Sequence, residues 1–211
     1  MPAIKNIIFD LGGVIMNIDF KKTENAFADL GFTDFKQYMT QFHITPFFEE
    51  YETGKIDEAA FIKGIQEIAN KPITAQQIIH AWNALLLDFP LARIDLLEKL
   101  KRHYRIFLLS NTNELHYSEF QQTLHALTGK TLEDIFEKTY FSHTAHLRKP
   151  DVAIYRLVLD ENNLNAAETL FIDDTASNFT GAEEIGIQTF HLKPPMDITS
   201  MPLFKDIVVA H

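Results

Sequence analysis

The chain has 211 residues, with 19 basic against 29 acidic side chains and a formal net charge of −10, which argues against a nucleic-acid partner because phosphate backbones are held by clustered Lys and Arg. An apolar fraction of 46% with 23% charged residues belongs to an ordinary globule with a real core and excludes disorder and low complexity. Cysteine is absent, which removes disulfides, thiolate zinc sites and cysteine nucleophiles, and no apolar run approaches the ~20 residues of a membrane span.

The N-terminus offers one Lys, Lys5, and Ile4 to Phe9 is a short apolar run ending in Asp10-Leu11-Gly12-Gly13, which predicts a buried strand feeding a tight turn. Nothing there reads as a signal peptide, so a cytoplasmic protein without a membrane partner is expected. From Asp19 to Leu87 the signals are helical: Phe61, Ile65 and Ile68 share one face, Ile78, Trp82 and Leu85 another, and Thr74 with Gln77 starts a helix as a capping box. Beyond Pro90 strand and helix patterns alternate. Ile94, Leu97 and Leu100 predict a helix, Arg105 to Leu109 a strand, Glu114 to Leu127 a helix, and Thr139 to Phe141 a short strand. A helix carrying Ile154, Leu157 and Val158 follows Pro150, then a strand over Thr169 to Ile172. A helix over Ala176 to Ile185 stops at Gly186, Ile187 to Phe190 is the last strand, and Pro194-Pro195 reads as a tail.

This alternation predicts an α/β protein: a Rossmann-like parallel sheet with helices on both faces and a small helical cap inserted after the first strand. The catalytic core is placed at residues 1–16 and 88–211, the cap at 17–87. Open parallel sheets bind ligands at the carboxyl ends of their strands. There the sequence puts Asp10, Ser110-Asn111 and Asp173-Asp174, with Lys149 just before a helix. Two carboxylates 4 Å apart repel by roughly 4 kcal/mol at an effective dielectric of 20, so three of them call for a cation. Hard oxygen donors favour Mg²⁺ shared with a substrate phosphate. Each residue alone reads as a strand-end polar group; the three carboxylates, the Ser110 hydroxyl and the Lys149 ammonium together read as a phosphate site.

These residues resemble the four motifs of the haloacid dehalogenase superfamily of aspartate-nucleophile phosphatases. The motifs stand here, in order, as Ile7-Ile8-Phe9-Asp10-Leu11-Gly12-Gly13-Val14, Leu108-Leu109-Ser110-Asn111-Thr112-Asn113, Arg148-Lys149-Pro150 and Phe171-Ile172-Asp173-Asp174 with Asn178. The resemblance implies that Asp10 attacks phosphorus and forms an aspartyl-phosphate. It implies a Mg²⁺ bound by Asp10, the Gly12 carbonyl and Asp174, with Asp173 either direct or acting through water. Ser110 and the backbone N–H groups of Leu11 and Asn111 would hold phosphoryl oxygens, and Lys149 would neutralise charge.

The chain departs from that pattern two residues after the nucleophile, where most such phosphatases carry a general-acid Asp and this one has Gly12. General acid–base catalysis is worth 10²–10⁴-fold. Three consequences stand open: a leaving group that needs little protonation, a substitute group from the cap or a water, or a pseudoenzyme. A Gly here also occurs in a branch resembling α-D-glucose-1-phosphate phosphatases, and an anomeric hydroxyl is a good leaving group. The expected activity is a Mg²⁺-dependent phosphatase for a small phosphorylated metabolite, a sugar phosphate and within that class an anomeric one. The alternatives are a 2-haloacid dehalogenase, against which Asp173 and Asp174 argue, and a metabolite- or partner-binding pseudophosphatase.

In the cap, His43 to Glu52 is the stretch most suited to a sugar, although Phe47 and Phe48 read first as cap core and Glu49 and Glu50 as a solvated face. Asn17 and Asp19, shortly after the first motif, are candidates at even odds to face the cleft at the hinge. His143 and His146 read as ordinary loop residues, and Arg148 reaches either the phosphate or cap, or is structural. The 18 Phe residues are mostly core, with any surplus available for a dimer patch; the chain is expected to be a monomer or homodimer.

Overall fold

The computed structural model describes residues 3–40, 43–69, 72–205 and 207. Strand β1 (Asn6–Phe9) is followed by the cap segment: helix α1 (Phe20–Asp29), a two-residue hairpin of β2 (Met39–Thr40) and β3 (His43–Ile44), then α2 (Pro46–Glu52), α3 (Glu58–Ala69) and α4 (Ala75–Asn83). The chain continues through α5 (Leu91–Leu100), β4 (Arg105–Ser110), α6 (Glu114–Thr128), α7 (Leu132–Ile135), β5 (Lys138–Phe141), α8 (Ser142–Ala145) and α9 (Val152–Asn162). Strand β6 (Thr169–Asp173), α10 (Phe179–Glu184) and β7 (Gln188–His191) complete the sheet, whose order is β5-β4-β1-β6-β7 with every pair parallel.

The expected Rossmann-like α/β architecture is therefore present, and period-two burial builds it. Ile7, Phe9, Leu108 and Ile172 face a core filled by α5 and α6; Ile8, Phe107, Leu109 and Phe171 face the opposite core, against α9 and α10. Gly186 ends the last helix at φ +84, as a left-handed cap requires. That helix begins later than predicted: residues Ala176–Asn178 form a 3₁₀ turn before α10. The segment after the cis peptide Pro194-Pro195 is not a loose tail, since Ile198, Met201 and Phe204 are buried in the α5 face.

The cap segment has its own aromatic core, with Phe27 stacked on Phe35 and Tyr51 on Phe61 around Trp82. Two antiparallel crossings join it to the sheet: Asn17 N–H donates to Asp88 O, Leu87 N–H to Asn17 O, and Asp19 N–H to Leu85 O, at 2.9–3.0 Å. No large apolar side chain exposed among the described residues is a Phe. No described helix is long and apolar enough to cross a membrane.

Candidate active site

Register sets the floor of the site. Phe9 aligns with Leu108 on one side and Ile172 on the other, so the next residues along, Asp10, Leu109-Ser110 and Asp173, emerge together at the carboxyl edge. Asp10 extends this ladder by donating its N–H to Ile172 O at 2.9 Å. One oxygen each of Asp10, Asp173 and Asp174 lie within 4.8 Å of one another.

Lys149 enters from the turn before α9. Its Nζ donates to Asp10 Oδ1 at 2.7 Å and Asp173 Oδ2 at 2.8 Å, and the side chain is 1% exposed. Asn111 fixes its backbone from two sides: Lys149 N–H donates to Asn111 Oδ1 at 2.9 Å, and Asn111 Nδ2 donates to Lys149 O at 3.0 Å. Asp173 is fully engaged by protein donors, because Thr175 N–H and Asn178 Nδ2 join Lys149 on its oxygens at 2.7 and 2.9 Å. Asp174 turns toward the cavity and accepts from Thr175 Oγ1 at 2.9 Å.

Three carboxylates around one ammonium leave two negative charges uncompensated in a buried place. Burial pushes the Asp10 carboxyl well above its ordinary value, Lys149 opposes that, and Asp173 and Asp174 add to it. For Lys149 burial works against the ammonium, but Asp10 and Asp173 outweigh it and hold its pKa high. The cluster thus fits a hard divalent cation in both charge and donor type. Gly13 serves the same cluster: at φ +73 it lets the backbone approach so closely that a Cβ would stand 2.3 Å from Asp174 Oδ2.

Above this floor lies a cavity of about 300 Å³ between sheet and cap. Leu11, Gly12, Ser110, Asn111 and Lys149 all line it. Ser110 Oγ makes only a 3.5 Å contact with Asn111 O, so its hydrogen-bonding capacity faces the cavity. Met16, Ile18 and Leu86 give an apolar wall; Glu52 and Arg148 give a charged one. The side chain that Gly12 lacks would point at Ile18, whose Cδ1 lies 2.9 Å from a Cβ placed there.

Several sequence expectations are revised here. Asn17 and Asp19 belong to the hinge: Asn17 Nδ2 donates to Asp88 Oδ1, and Asp19 caps α1 by accepting from Lys21 N–H. His143 and His146 are not idle loop residues. His146 Nδ1 donates to Thr53 O at 2.8 Å, and the His143 carbonyl lies so close to Gly54 that a Cβ there would be 2.2 Å away. Glu50 is exposed and Phe48 is cap core, as expected, and the residues of that stretch that line the cavity are Ile44 and Glu52. The signal was readable, since Phe48, Tyr51 and Glu52 share one helical face and a carboxylate on an apolar stripe is out of place. The side-chain role of Asn111 left no comparable signal.

The cap is pinned over the site at three further points. Ser142 Oγ lies 2.6 Å from Glu52 O and 2.9 Å from Thr112 O, and it accepts from Thr112 N–H. Tyr51 Oη accepts from Leu115 N–H at 3.3 Å. Trp82 Nε1 donates to Asn113 Oδ1 at 3.1 Å and stacks on His116. Because Trp82 O can only accept, His116 donates from Nε2 and takes the Asn113 amide on Nδ1. Burial pushes its pKa down to about 4.

A model of the haloacid dehalogenase-like hydrolases matches residues 4–186. A D-ribitol-5-phosphate phosphatase of Bacteroides thetaiotaomicron is 34% identical over 187 residues, 89% of this chain and 91% of that protein. A crystal structure of a haloacid dehalogenase family enzyme from the same organism, a point mutant in complex with magnesium and inorganic phosphate, superposes with a TM-score of 0.88 at 35% identity. It covers 93% of this chain and 97% of its own. The L-2-haloacid dehalogenase of Xanthobacter autotrophicus, at 18% identity over 90% of this chain and 77% of its own, has a TM-score of 0.59 and shares the fold.

Proposed function

Because the chain belongs to the haloacid dehalogenase-like hydrolases, we propose that it is a Mg²⁺-dependent phosphatase acting through Asp10 on a small polyhydroxylated phosphate. The observation that carries this reading is the buried floor of Asp10, Asp173, Asp174 and Lys149 at the strand ends beneath the cap. Asp10 and Asp174, with the Gly12 carbonyl, would hold Mg²⁺; Asp173, which already accepts from three protein donors, would act through a bound water. When bound, the ion supplies positive charge against a phosphate dianion and its carboxylate neighbours.

Asp10 then attacks phosphorus as the P–O bond to the leaving group breaks; the departing alkoxide takes its proton from water, and a water hydrolyses the aspartyl-phosphate, releasing phosphate and regenerating the carboxylate. Lys149 holds positive charge at Asp10 Oδ1, and Ser110 Oγ with the Leu11 and Asn111 N–H groups receives the phosphoryl oxygens. The docked cap would keep bulk water away from the attack on phosphorus. With Gly12 at the position of the usual proton donor, leaving groups that depart with little protonation are favoured, and anomeric phosphates are the sugar phosphates of that kind.

The test is phosphate release from sugar 1-phosphates, sugar 6-phosphates and a pentitol 5-phosphate, in Mg²⁺ and in EDTA, for wild type and Asp10→Asn. Release that needs the metal and disappears in Asp10→Asn supports the phosphatase. Release that survives Asp10→Asn removes the nucleophile. Faster hydrolysis of 6-phosphates than 1-phosphates removes the anomeric preference alone.

A further inference from the structure

Arg148 and Glu52 stand at the one place where the core loop carrying Lys149 meets the cap inside the cavity. Arg148 Nη2 donates to Glu52 Oε2 at 3.2 Å, and its Nη1 lies 3.8 Å from Glu49 Oε2. The third edge of the guanidinium has no such use: Arg148 Nε is buried without a hydrogen-bond partner. A buried donor on a charged group is costly to leave unsatisfied, and this one belongs to a side chain that lines the cavity. Glu52 is likewise withdrawn from water, 7% exposed, and burial raises its carboxyl above the usual range while Arg148 opposes the shift. Its second oxygen, Oε1, has no hydrogen bond to protein among those of the described residues.

The backbone under this pair is rigid. The Glu52 carbonyl is held by Ser142 and the Thr53 carbonyl by His146, so the end of α2 is fixed to the core and the Glu52 side chain has little freedom to swing away. The opposite wall, Met16, Ile18 and Leu86, offers no polar side chain. Thr112, His116, Thr175, Ser177 and Asn178 also line the cavity from the core, and Arg148 with Glu52 is the charged pair among these walls through which the cap reaches a ligand whose phosphate sits at Asp10.

We propose that Arg148 and Glu52 are the specificity pair of this enzyme, the Arg148 guanidinium donating to one substrate hydroxyl oxygen and Glu52 accepting from a hydroxyl of the same carbon chain. This rests on the phosphatase reading above and adds to it the residues that distinguish a polyol phosphate from a plain alkyl phosphate. Because one partner stands on the core and the other on the cap, such a substrate also ties the two together while it is bound.

Three substrates separate the outcomes: a pentitol 5-phosphate, n-pentyl phosphate with the same chain length and no hydroxyls, and p-nitrophenyl phosphate, which leaves without a proton. Wild type is expected to prefer the pentitol phosphate over pentyl phosphate in kcat/KM. In Glu52→Gln and Arg148→Lys that ratio should fall about 10- to 100-fold, mostly through KM, since hydrogen bonds to charged groups carry that much discrimination. Glu52→Asp should recover part of it. If the ratio stays constant while both rates drop together, the pair only holds the cap and the proposal is overturned. It is also overturned if Glu52→Gln loses pentyl and pentitol phosphates alike but keeps p-nitrophenyl phosphate, which would make Glu52 a proton donor. A wild type that hydrolyses none of the three sinks the phosphatase reading itself. Thermal melts of each variant identify one that does not fold, in which case the other residue's variant gives the ratio.

Discussion

Gly12 is the residue whose replacement tests the chemistry most directly, because it stands where a proton donor would be. Its φ lies outside the left-handed region, so an ordinary side chain is allowed there, and the obstacle is the Ile18 Cδ1 at 2.9 Å from the new Cβ. That atom is the far end of a flexible side chain. Ile18→Val deletes it at a cost of about 0.5–1.5 kcal/mol and leaves the Ile18–Leu86 bridge of the hinge intact. In the double variant Gly12→Asp/Ile18→Val the new carboxyl enters a crowded acidic cavity, where burial and like charge raise its pKa, as a general acid at neutral pH requires. General acids contribute about 10²–10⁴-fold; an approximately placed one should raise the single-turnover rate on alkyl phosphates at least tenfold. Hydrolysis of p-nitrophenyl phosphate should change little, so the dependence of rate on leaving-group pKa becomes shallower. Gly12→Asn/Ile18→Val has the same bulk and no acidic proton, and should leave that dependence steep. A folded, Mg²⁺-binding Asp variant with wild-type leaving-group dependence would refute the reasoning from Gly12.

Asp10→Asn should abolish phosphate release without lowering the melting temperature, since it replaces a buried carboxylate that burial disfavours with a neutral isostere; it should also shrink the melting-temperature rise that Mg²⁺ produces in wild type. Gly13→Ala should weaken Mg²⁺ activation at least tenfold in a metal titration, because its Cβ would collide with Asp174 Oδ2 at a φ of +73; an unchanged titration would show that Asp174 is not needed where it stands. For His116 the folded pKa is about 4 against ~6.5 unfolded. Between these values the unfolded chain binds a proton that the fold excludes, so stability is complete above pH 6.5 and falls by about 3 kcal/mol toward pH 4. Urea midpoints across that window should slope less in His116→Gln, and parallel slopes would place the titrating group elsewhere.

The carboxylates of the floor were legible because they follow strands, and strand ends show in the sequence as polar residues after apolar runs; Lys149, in the turn before α9, carries no such signal. Asp10 after Ile7-Ile8-Phe9 and Asp173 after Leu170-Phe171-Ile172 announce themselves in this way. The cap contacts did not, because each joins distant parts of the chain: Arg148 to Glu52 over 96 residues and His146 to Thr53 over 93. No periodicity encodes which loop meets which helix end. The C-terminal segment was misread for a related reason. Ile198, Met201 and Phe204 are buried from short 3₁₀ turns, which carry neither the 3.6 nor the 2.0 repeat that marks a buried face.

In the proposed mechanism the two adjacent aspartates would divide their labour, and the division would make the site ready before any ligand arrives. Asp173 is wholly buried and spends its oxygens on Lys149, Thr175 and Asn178, while Asn111 grips the Lys149 backbone on both sides. The ammonium is thereby fixed against Asp10 from the head and from the main chain at once, so no side chain has to be reoriented when charge moves from the nucleophile to the phosphoryl group. Preorganised charge of this kind acts where reorganisation would otherwise raise the barrier. Asp174, turned to the cavity and crowded against Gly13, would be the carboxylate that meets the cation in the proposed mechanism. On this argument Asp173→Asn and Asp174→Asn fail differently: the first should lower kcat while Mg²⁺ affinity changes little, because Lys149 loses its anchor, and the second should weaken Mg²⁺ affinity first. Metal titrations of the two variants that proved indistinguishable would mean that both carboxylates bind the ion directly.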